Sequence, residues 1–150
     1  MAHTFTHLIT HVVFGTKNRA SSIALEMGAP LHAYLGGIVK EMGGKPLIIN
    51  GTQDHVHMLI ALPATMAIAD LIRVVKANSS RWAHEKWPQW HGFGWQQGYG
   101  AFSVSKSAMK DVEEYIANQE EHHRKVSFQE EFLALLKRHD IPYDERYIWE

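Results

Sequence analysis

Asp54-His55-Val56-His57-Met58-Leu59-Ile60-Ala61-Leu62 is the stretch that decides the fold, because its β-branched and aliphatic residues predict a strand. Side chains alternate between the two faces of a strand, so two histidines two residues apart share one face, with their bases about 7 Å apart. Val56 and Met58 then face the core. Imidazole is a common metal ligand, and the pair predicts half of a metal site. A solvated sheet face could also carry both histidines without binding anything.

The rest of the chain supplies the elements that surround this strand. Apolar periodicity and turn residues predict an α+β fold of the ferredoxin-like (split βαβ) class, an antiparallel sheet with helices on one face and extra C-terminal helices. In that topology the first and third strands are neighbours at the centre of the sheet, so the two histidines lie on a central strand. The predicted strands cover residues 7–14, 45–50, 54–62 and an interrupted 95–105; the predicted helices cover 30–42, 68–86, 107–123 and 128–139.

Composition limits the class of protein. The 150 residues, 45% of them apolar, predict one domain over residues 1–150. The absence of cysteine excludes disulfides, thiolate zinc sites and a cysteine nucleophile, so any metal is bound by His, Asp, Glu, Gln or Tyr. A net charge of −1 argues against a protein coated with positive charge for indiscriminate nucleic-acid binding.

Localisation signals are also missing from the sequence. No stretch approaches the roughly 20 apolar residues of a membrane span. The first residues, Met1-Ala2-His3-Thr4, lack the basic start and apolar segment of a secretion signal. We therefore expect a cytoplasmic protein without a membrane partner.

A second polar group lies on the third predicted helix. Tyr115, Gln119 and either His122 or His123 fall on one stripe, because residues three and four apart are neighbours on a helix. A phenol with a reference pKa of about 10 is a poor nucleophile, but a divalent cation can polarise a phosphate and organise its attack. The alternative is a tyrosine that packs on the sheet with its hydroxyl at the rim, beside solvated Gln and His side chains.

These motifs carry a family resemblance. With His55-Val56-His57 followed by Tyr115 and, four residues on, Gln119, the chain resembles the single-tyrosine HUH transposases. These are the transposases of the smallest bacterial insertion sequences and the REP-associated tyrosine transposases. The stretches 95–105 and 143–149 are similar to the same family, so the resemblance covers nearly the whole chain.

The resemblance implies a DNA transposase that nicks and rejoins single-stranded DNA. His55, His57 and Gln119 would hold Mg²⁺ or Mn²⁺, and Tyr115 would attack a DNA phosphate, leaving a 5′-phosphotyrosine and a free 3′-hydroxyl. It also implies a DNA hairpin at the end of the element and a homodimer with active sites shared between subunits. The residues alone favour an imidazole as third ligand, since it is the stronger donor for a transition metal. The resemblance nevertheless gives the third place to Gln119, so we expect Asp54, His122 and His123 to support the ligands or contact phosphate.

Basic and polar side chains elsewhere are candidate DNA contacts. One stripe of the second predicted helix and several loops or helix ends supply them: Arg73, Lys76, Ser80, Lys17, Arg19 and Arg124. Each could equally belong to a solvated surface. Trp87, Trp90, Trp95 and Tyr99 could stack on unpaired bases, or they could be core residues.

Two other functions fit the same sequence. One is a non-enzymatic module that binds single-stranded nucleic acid, since the same topology serves RNA-binding domains. The other is a metal-dependent phosphodiesterase that uses activated water, with Tyr115 as a packing residue. Fold alone cannot separate them.

Overall fold

A four-stranded antiparallel sheet forms the centre of the computed structural model, which describes residues 3–90 and 92–150. The strand order is β2-β3-β1-β4, so the predicted first and third strands are the central pair, and the ferredoxin-like prediction is confirmed. The strands are β1 (Ile9–Gly15), β2 (Lys45–Gly51), β3 (His55–Ala61) and β4 (Gly100–Ser103).

Helices cover both faces of this sheet, whereas the sequence predicted them on one face with C-terminal additions. One face packs on α1 (Gly28–Glu41) and α2 (Ile68–Lys86) through Val56, Met58 and Ile60 of β3. The other face packs on α3 (Met109–Ala117) and α5 (Phe128–Arg138), with the short α4 (Gln119–His122) between them. Because the C-terminal helices close over the second face, its side chains are buried and not solvated.

The register of the central strands brings three histidines onto that second face. Val13 of β1 lies opposite His57 of β3, and His11 lies opposite Leu59. Strand alternation then sends His55, His57 and His11 toward α3 and α5. All three are buried, with His55 and His57 fully inaccessible.

The predicted fourth strand is shorter than the sequence indicated. Only Gly100–Ser103 pairs along β1, and Trp95 makes an isolated bridge to Thr16. Side chains satisfy the backbone of the intervening loop: the Lys76 ammonium donates to the carbonyls of Gln96, Gln97 and Gly98. The loop therefore has no need of a strand partner for those groups.

The single helix predicted over residues 107–123 is interrupted at Asn118. The backbone there departs from helical geometry, with φ −98° and ψ 23°, and separates α3 from α4. Asn50 of β2 stabilises the interruption, because its side-chain amide donates to the carbonyls of Ile116 and Ala117 at the end of α3. The helices predicted over residues 68–86 and 128–139 agree with the structure, in which α2 spans Ile68–Lys86 and α5 spans Phe128–Arg138.

In the part of the chain that the structure describes, no helix combines the length and the apolar character needed to cross a membrane.

Candidate active site

Strands β3 and β1 provide three buried imidazoles. His57 Nδ1 lies 2.8 Å from His11 Nε2, and the two rings are stacked with centroids 5.0 Å apart. His55 is on the same face, two residues earlier, with its ring 5.1 Å from that of His57. The central sheet fixes all three rings, so they form a rigid platform.

Glu131 of α5 lies at the centre of this group. It is only 3% exposed, although it is a carboxylate on the apolar side of an amphipathic helix. Its Oε1 is 2.9 Å from His57 Nε2, 3.0 Å from His123 Nε2 and 3.3 Å from His55 Nε2. Three ring nitrogens therefore surround one carboxylate oxygen.

The other oxygen of Glu131 contacts the residues predicted from the helix stripe. The Tyr115 hydroxyl donates to Oε2, and the Gln119 side-chain amide donates to it at 3.2 Å. His122 Nε2 lies 3.4 Å away. The half-buried Tyr115 ring lies 5.7 Å from the His57 ring of the same chain. One chain thus brings its tyrosine to its own histidine pair.

Acceptor oxygens face both ring nitrogens of His55, so the ring must either be protonated or bind a cation. Its Nδ1 is 2.7 Å from Asp54 Oδ1, and its Nε2 faces Gln119 Oε1 at 3.1 Å as well as Glu131 Oε1. All of these oxygens are acceptors, and a neutral imidazole has only one N–H. Burial alone lowers the pKa of His55, but the hydrogen bonds to Asp54 and Glu131 outweigh burial and raise the pKa to about 9. Either a proton or a metal ion must therefore occupy Nε2.

The pKa values of His57 and His11 are shifted in the opposite direction, below the usual value for histidine. Burial is the main cause that lowers the pKa of His57 to about 4, and burial followed by the neighbouring His57 lowers the pKa of His11 to about 3. Both rings are neutral at pH 7. Since His57 Nε2 donates to Glu131, its Nδ1 accepts from His11 in this arrangement.

The carboxylate and the phenol also titrate away from their ordinary ranges. Burial alone raises the pKa of Glu131, but hydrogen bonds from His123, His55 and His57 outweigh burial and lower that pKa far below its usual value. Burial, followed by the Glu131 carboxylate, raises the pKa of Tyr115. In the metal-free protein the phenol therefore keeps its proton and donates a hydrogen bond to a charged carboxylate.

The donor set fits a divalent cation. Ligand atoms of His55, His57, His123 and Glu131 all lie within 4.8 Å of one another. Neighbouring donors in the cluster are separated by 2.9 Å, 3.1 Å and 3.3 Å. Adjacent ligands of an octahedral ion that binds at about 2.1 Å are themselves about 3 Å apart. Imidazole donors suit ions such as Zn²⁺ and Fe²⁺, whereas carboxylate and amide oxygens suit Mg²⁺ and Mn²⁺, so the mixed set fits a divalent cation without selecting one.

All the residues that the sequence predicted for catalysis, metal binding or support of the ligands lie in this cluster. The sequence placed one residue as nucleophile, three as metal ligands and three in support, and the structure brings the seven together: Tyr115, His55, His57, Gln119, Asp54, His122 and His123. Of the two adjacent histidines, His123 belongs to the group of possible metal ligands, while His122 lies beside Oε2 of Glu131 and the Tyr115 ring.

The predicted DNA contacts are spread over the surface. Arg73, Lys76 and Ser80 of α2 line one groove beside Gln96 and Tyr99. Burial lowers the pKa of Lys76 to about 8, and its ammonium holds the loop carbonyls described above, which gives it a structural role.

The other three predicted DNA contacts lie outside that groove. Lys17 is exposed, the Arg19 guanidinium stacks over Trp149, and Arg124 pairs with Glu121 at 2.8 Å. Among the four aromatic candidates, Trp95 is buried and the others pack partly buried against the core, in agreement with the core interpretation: Trp87, Trp90 and Tyr99.

The sequence interpretation assigned no role to Glu131 or His11. Glu131 could have been noticed, because it falls between Phe128, Phe132 and Leu135 on the apolar stripe of its helix, where an unpaired carboxylate is costly. His11 interrupts the apolar run of a central strand in the same way. The partners of both residues come from elements distant in the sequence.

Comparison with known proteins identifies the family of this chain. The sequence model of the family "Transposase IS200 like" matches residues 4–119. The chain belongs to this IS200-like transposase family. Its curated relatives include the ISDra2 transposase TnpA of Deinococcus radiodurans, 26% identical over 114 residues that cover 73% of this chain and 81% of the relative. Another is the transposase for insertion sequence element IS200 of Salmonella typhimurium, 26% identical over 124 residues that cover 79% and 81%.

Solved structures share the fold of this IS200-like transposase. A crystal structure described as a transposase of D. radiodurans R1 has a TM-score of 0.64 and 24% identity, over 79% of this chain and 95% of the other. A REP-associated tyrosine transposase bound to a REP hairpin has a TM-score of 0.61 and 14% identity, over 84% of this chain and 76% of the other. Both likenesses support the ferredoxin-like fold of the chain.

Proposed function

We propose that this IS200-like transposase nicks and rejoins single-stranded DNA through Tyr115, with Mg²⁺ or Mn²⁺ as cofactor. The observation that carries the proposal is the contact of the Tyr115 hydroxyl with Glu131, whose other oxygen lies among the Nε2 atoms of His55, His57 and His123. A nucleophile and a set of metal ligands thus share one buried carboxylate.

The residues that would hold the cation are His55 and His57 through Nε2 and Gln119 through Oε1, with Glu131 and His123 in reach. When bound, a divalent cation polarises a phosphate oxygen and stabilises negative charge that develops on the phosphate. Asp54 accepts a hydrogen bond from His55 Nδ1. His57 Nδ1 lies 2.8 Å from His11 Nε2, and with the cation on its Nε2 the His57 ring donates from Nδ1 to His11, so both ring orientations are fixed.

Tyr115 would supply the nucleophile. Its oxygen attacks the DNA phosphorus as the phenol proton leaves along its hydrogen bond to Glu131. The bond to the 3′ oxygen breaks and that oxygen takes up a proton, so the products are a 5′-phosphotyrosine and a free 3′-hydroxyl. Glu131 accepts the hydrogen bond of the phenol and so fixes the position of the attacking oxygen. The covalent bond stores the energy of the phosphodiester, so the same site can rejoin strands.

The DNA partner we propose is a single strand beside a hairpin, as a REP hairpin is the ligand of the structural neighbour. The candidate phosphate contacts are three residues of the groove beside α2 and three basic residues outside it: Arg73, Lys76, Ser80, Lys17, Arg19 and Arg124. Phosphate contacts of this type give affinity without reading sequence.

The family resemblance adds a homodimer with shared active sites to the proposal. Within one chain, however, Tyr115 already contacts Glu131 and lies beside His57. We therefore propose that each site can be complete within one chain in this conformation. Exchange between subunits would require α3 and α4 to leave the cluster.

The decisive experiment is covalent trapping. The protein is incubated with Mn²⁺ and single-stranded oligonucleotides from the DNA that flanks its gene, and we expect a protein–DNA adduct that survives denaturation. Tyr115→Phe should abolish the adduct and retain DNA binding, because it removes only the phenol oxygen. Cleavage by Tyr115→Phe at the wild-type rate would instead indicate a phosphodiesterase that activates water. DNA binding that is unchanged by a chelator, together with no cleavage, would indicate a non-enzymatic binding module.

A further inference from the structure

A cavity of about 390 Å³ opens next to the cluster around Glu131. Ile23 and Leu25, from the segment before α1, form part of its wall, together with His32 of α1 and Phe128 at the start of α5. Polar and charged residues also line the cavity, among them Asp54, Glu120, His123 and Arg124. Its volume lies within the range of about 300 to 1,000 Å³ that is typical of ligand pockets.

The cavity and the cluster share residues. Asp54 and His123 line the cavity, and the same two side chains contact His55 and Glu131. Phe128 also lines the cavity, and its ring stacks on His55 with centroids 4.4 Å apart and planes 13° apart. A molecule in the cavity therefore lies beside the position where a phosphate would meet His55.

His32 provides an unused polar group in this wall. Among the buried side-chain nitrogen and oxygen atoms of residues 3–90 and 92–150, its Nε2 alone has no hydrogen-bond partner. Buried polar atoms in native proteins nearly always have one. Burial lowers the pKa of His32, so the ring is neutral and its Nε2 can donate or accept according to tautomer. The structure thus holds a polar atom suited to a ligand.

We propose that this cavity binds one unpaired nucleobase of the single-stranded DNA, from a nucleotide adjacent to the phosphate that Tyr115 attacks. The inference rests on the proposed function. A base has a flat apolar face for Phe128, Ile23 and Leu25, and a polar edge for the Nε2 of His32. The backbone phosphate of that nucleotide then lies on the side of the cavity that Asp54 and His123 form, next to the cluster. Base binding in such pockets is typical of enzymes that act on single strands.

The first test maps where a base lies. Single-stranded DNA of random sequence that contains 5-iododeoxyuridine is irradiated with the Tyr115→Phe protein in Mn²⁺, and crosslinked peptides are identified by mass spectrometry. We expect crosslinks in residues 21–32 or 123–128, which surround the cavity. Crosslinks confined to other segments would overturn the proposal.

The second test measures the contribution of His32. On the Tyr115→Phe background, fluorescence anisotropy compares binding of a cleavable oligonucleotide with copies that carry a single abasic site at successive positions around the cleavage point. Loss of one stacked base typically weakens binding about tenfold, and we expect such a loss at one position. In His32→Leu that difference should shrink several-fold, and His32→Gln should restore part of it.

The controls separate this inference from the proposed function. His7→Leu makes the same change at an exposed histidine and should leave the abasic profile unchanged. Equal abasic profiles for wild-type His32 and His32→Leu, with normal adduct formation in the protein that retains Tyr115, would overturn the base cavity alone. No adduct with any oligonucleotide would overturn the proposed function, whatever the crosslinks show.

Discussion

Replacing Glu131 with Gln tests whether one buried carboxylate holds the active-site cluster together. The change keeps the shape of the side chain and removes its charge, while His55 stays paired with Asp54 alone. Loss of one partner from a buried ion pair costs about 3–5 kcal/mol, and an amide accepts weaker hydrogen bonds from His57, His123 and Tyr115. We expect the free energy of unfolding of the metal-free protein to fall by about 3 kcal/mol at pH 7.

The pH dependence of this loss gives a specific signature. The pKa of His55 rises from 6.5 to about 9 on folding, partly because of Glu131. Such a group stabilises the folded state fully below pH 6.5, and the contribution disappears as the pH rises through 9. At about 1.4 kcal/mol for each pKa unit, the upper bound for His55 is roughly 3 kcal/mol. The difference between wild type and Glu131→Gln should therefore narrow between pH 7 and pH 10.

The assay is urea denaturation in EDTA, followed by tryptophan fluorescence, with an unchanged m-value as the sign that both proteins unfold from compact states. Glu120→Gln is the matched control, because Glu120 is exposed on α4 and its substitution should cost little. A loss below about 1 kcal/mol that equals the control and does not change with pH would refute the central role of the carboxylate.

Four further predictions concern the metal, the proton balance and the subunits. His57→Ala should remove most Mn²⁺-dependent cleavage and weaken Mn²⁺ binding, measured by calorimetry, by at least tenfold. If the variant unfolds and the wild-type activity does not depend on metal, His57 is a structural residue. Because the pKa of His55 is about 9, Mn²⁺ binding at pH 7 should release close to one proton, and affinity should rise about tenfold per pH unit up to pH 9; calorimetry in buffers of different ionisation enthalpy measures both. His11→Phe should weaken Mn²⁺ binding about tenfold or more, because it removes the hydrogen bond to His57 Nδ1, and an unchanged affinity would contradict this role. Mixing Tyr115→Phe with His57→Ala after subunit exchange should recover no cleavage if each site is complete within one chain, whereas recovery would establish the shared sites that the family resemblance implies.

The sequence alone predicted the elements whose signals are local. Alternation around His55 and His57 identified a strand, and the order of periodic segments identified the split βαβ topology, because side-chain period and turn residues are properties of neighbouring positions. The helix that carries Tyr115 and Gln119 could also be found, although its interruption at Asn118 could not. That interruption depends on the Asn50 side chain, which comes from another strand.

The sequence named the candidate ligands and the candidate nucleophile, but it did not name the carboxylate that they surround. The tyrosine, the histidine pair and the glutamine followed from motif and resemblance. Glu131 did not, because its role depends on how α5 packs over β3. A carboxylate on an apolar stripe signals a buried partner, but the sequence does not say which of eleven histidines that partner is.

The sequence by itself therefore determined the fold class and the family, and it indicated the two motifs to which we assign the chemistry. Tertiary structure alone decided that four imidazoles, a phenol and an amide meet at one carboxylate, and that the tyrosine reaches the histidines of its own chain. The physical reason is that burial and hydrogen-bond geometry set the charges: the same imidazole that titrates near pH 6.5 in solution is held protonated as His55 and neutral as His57, two residues apart.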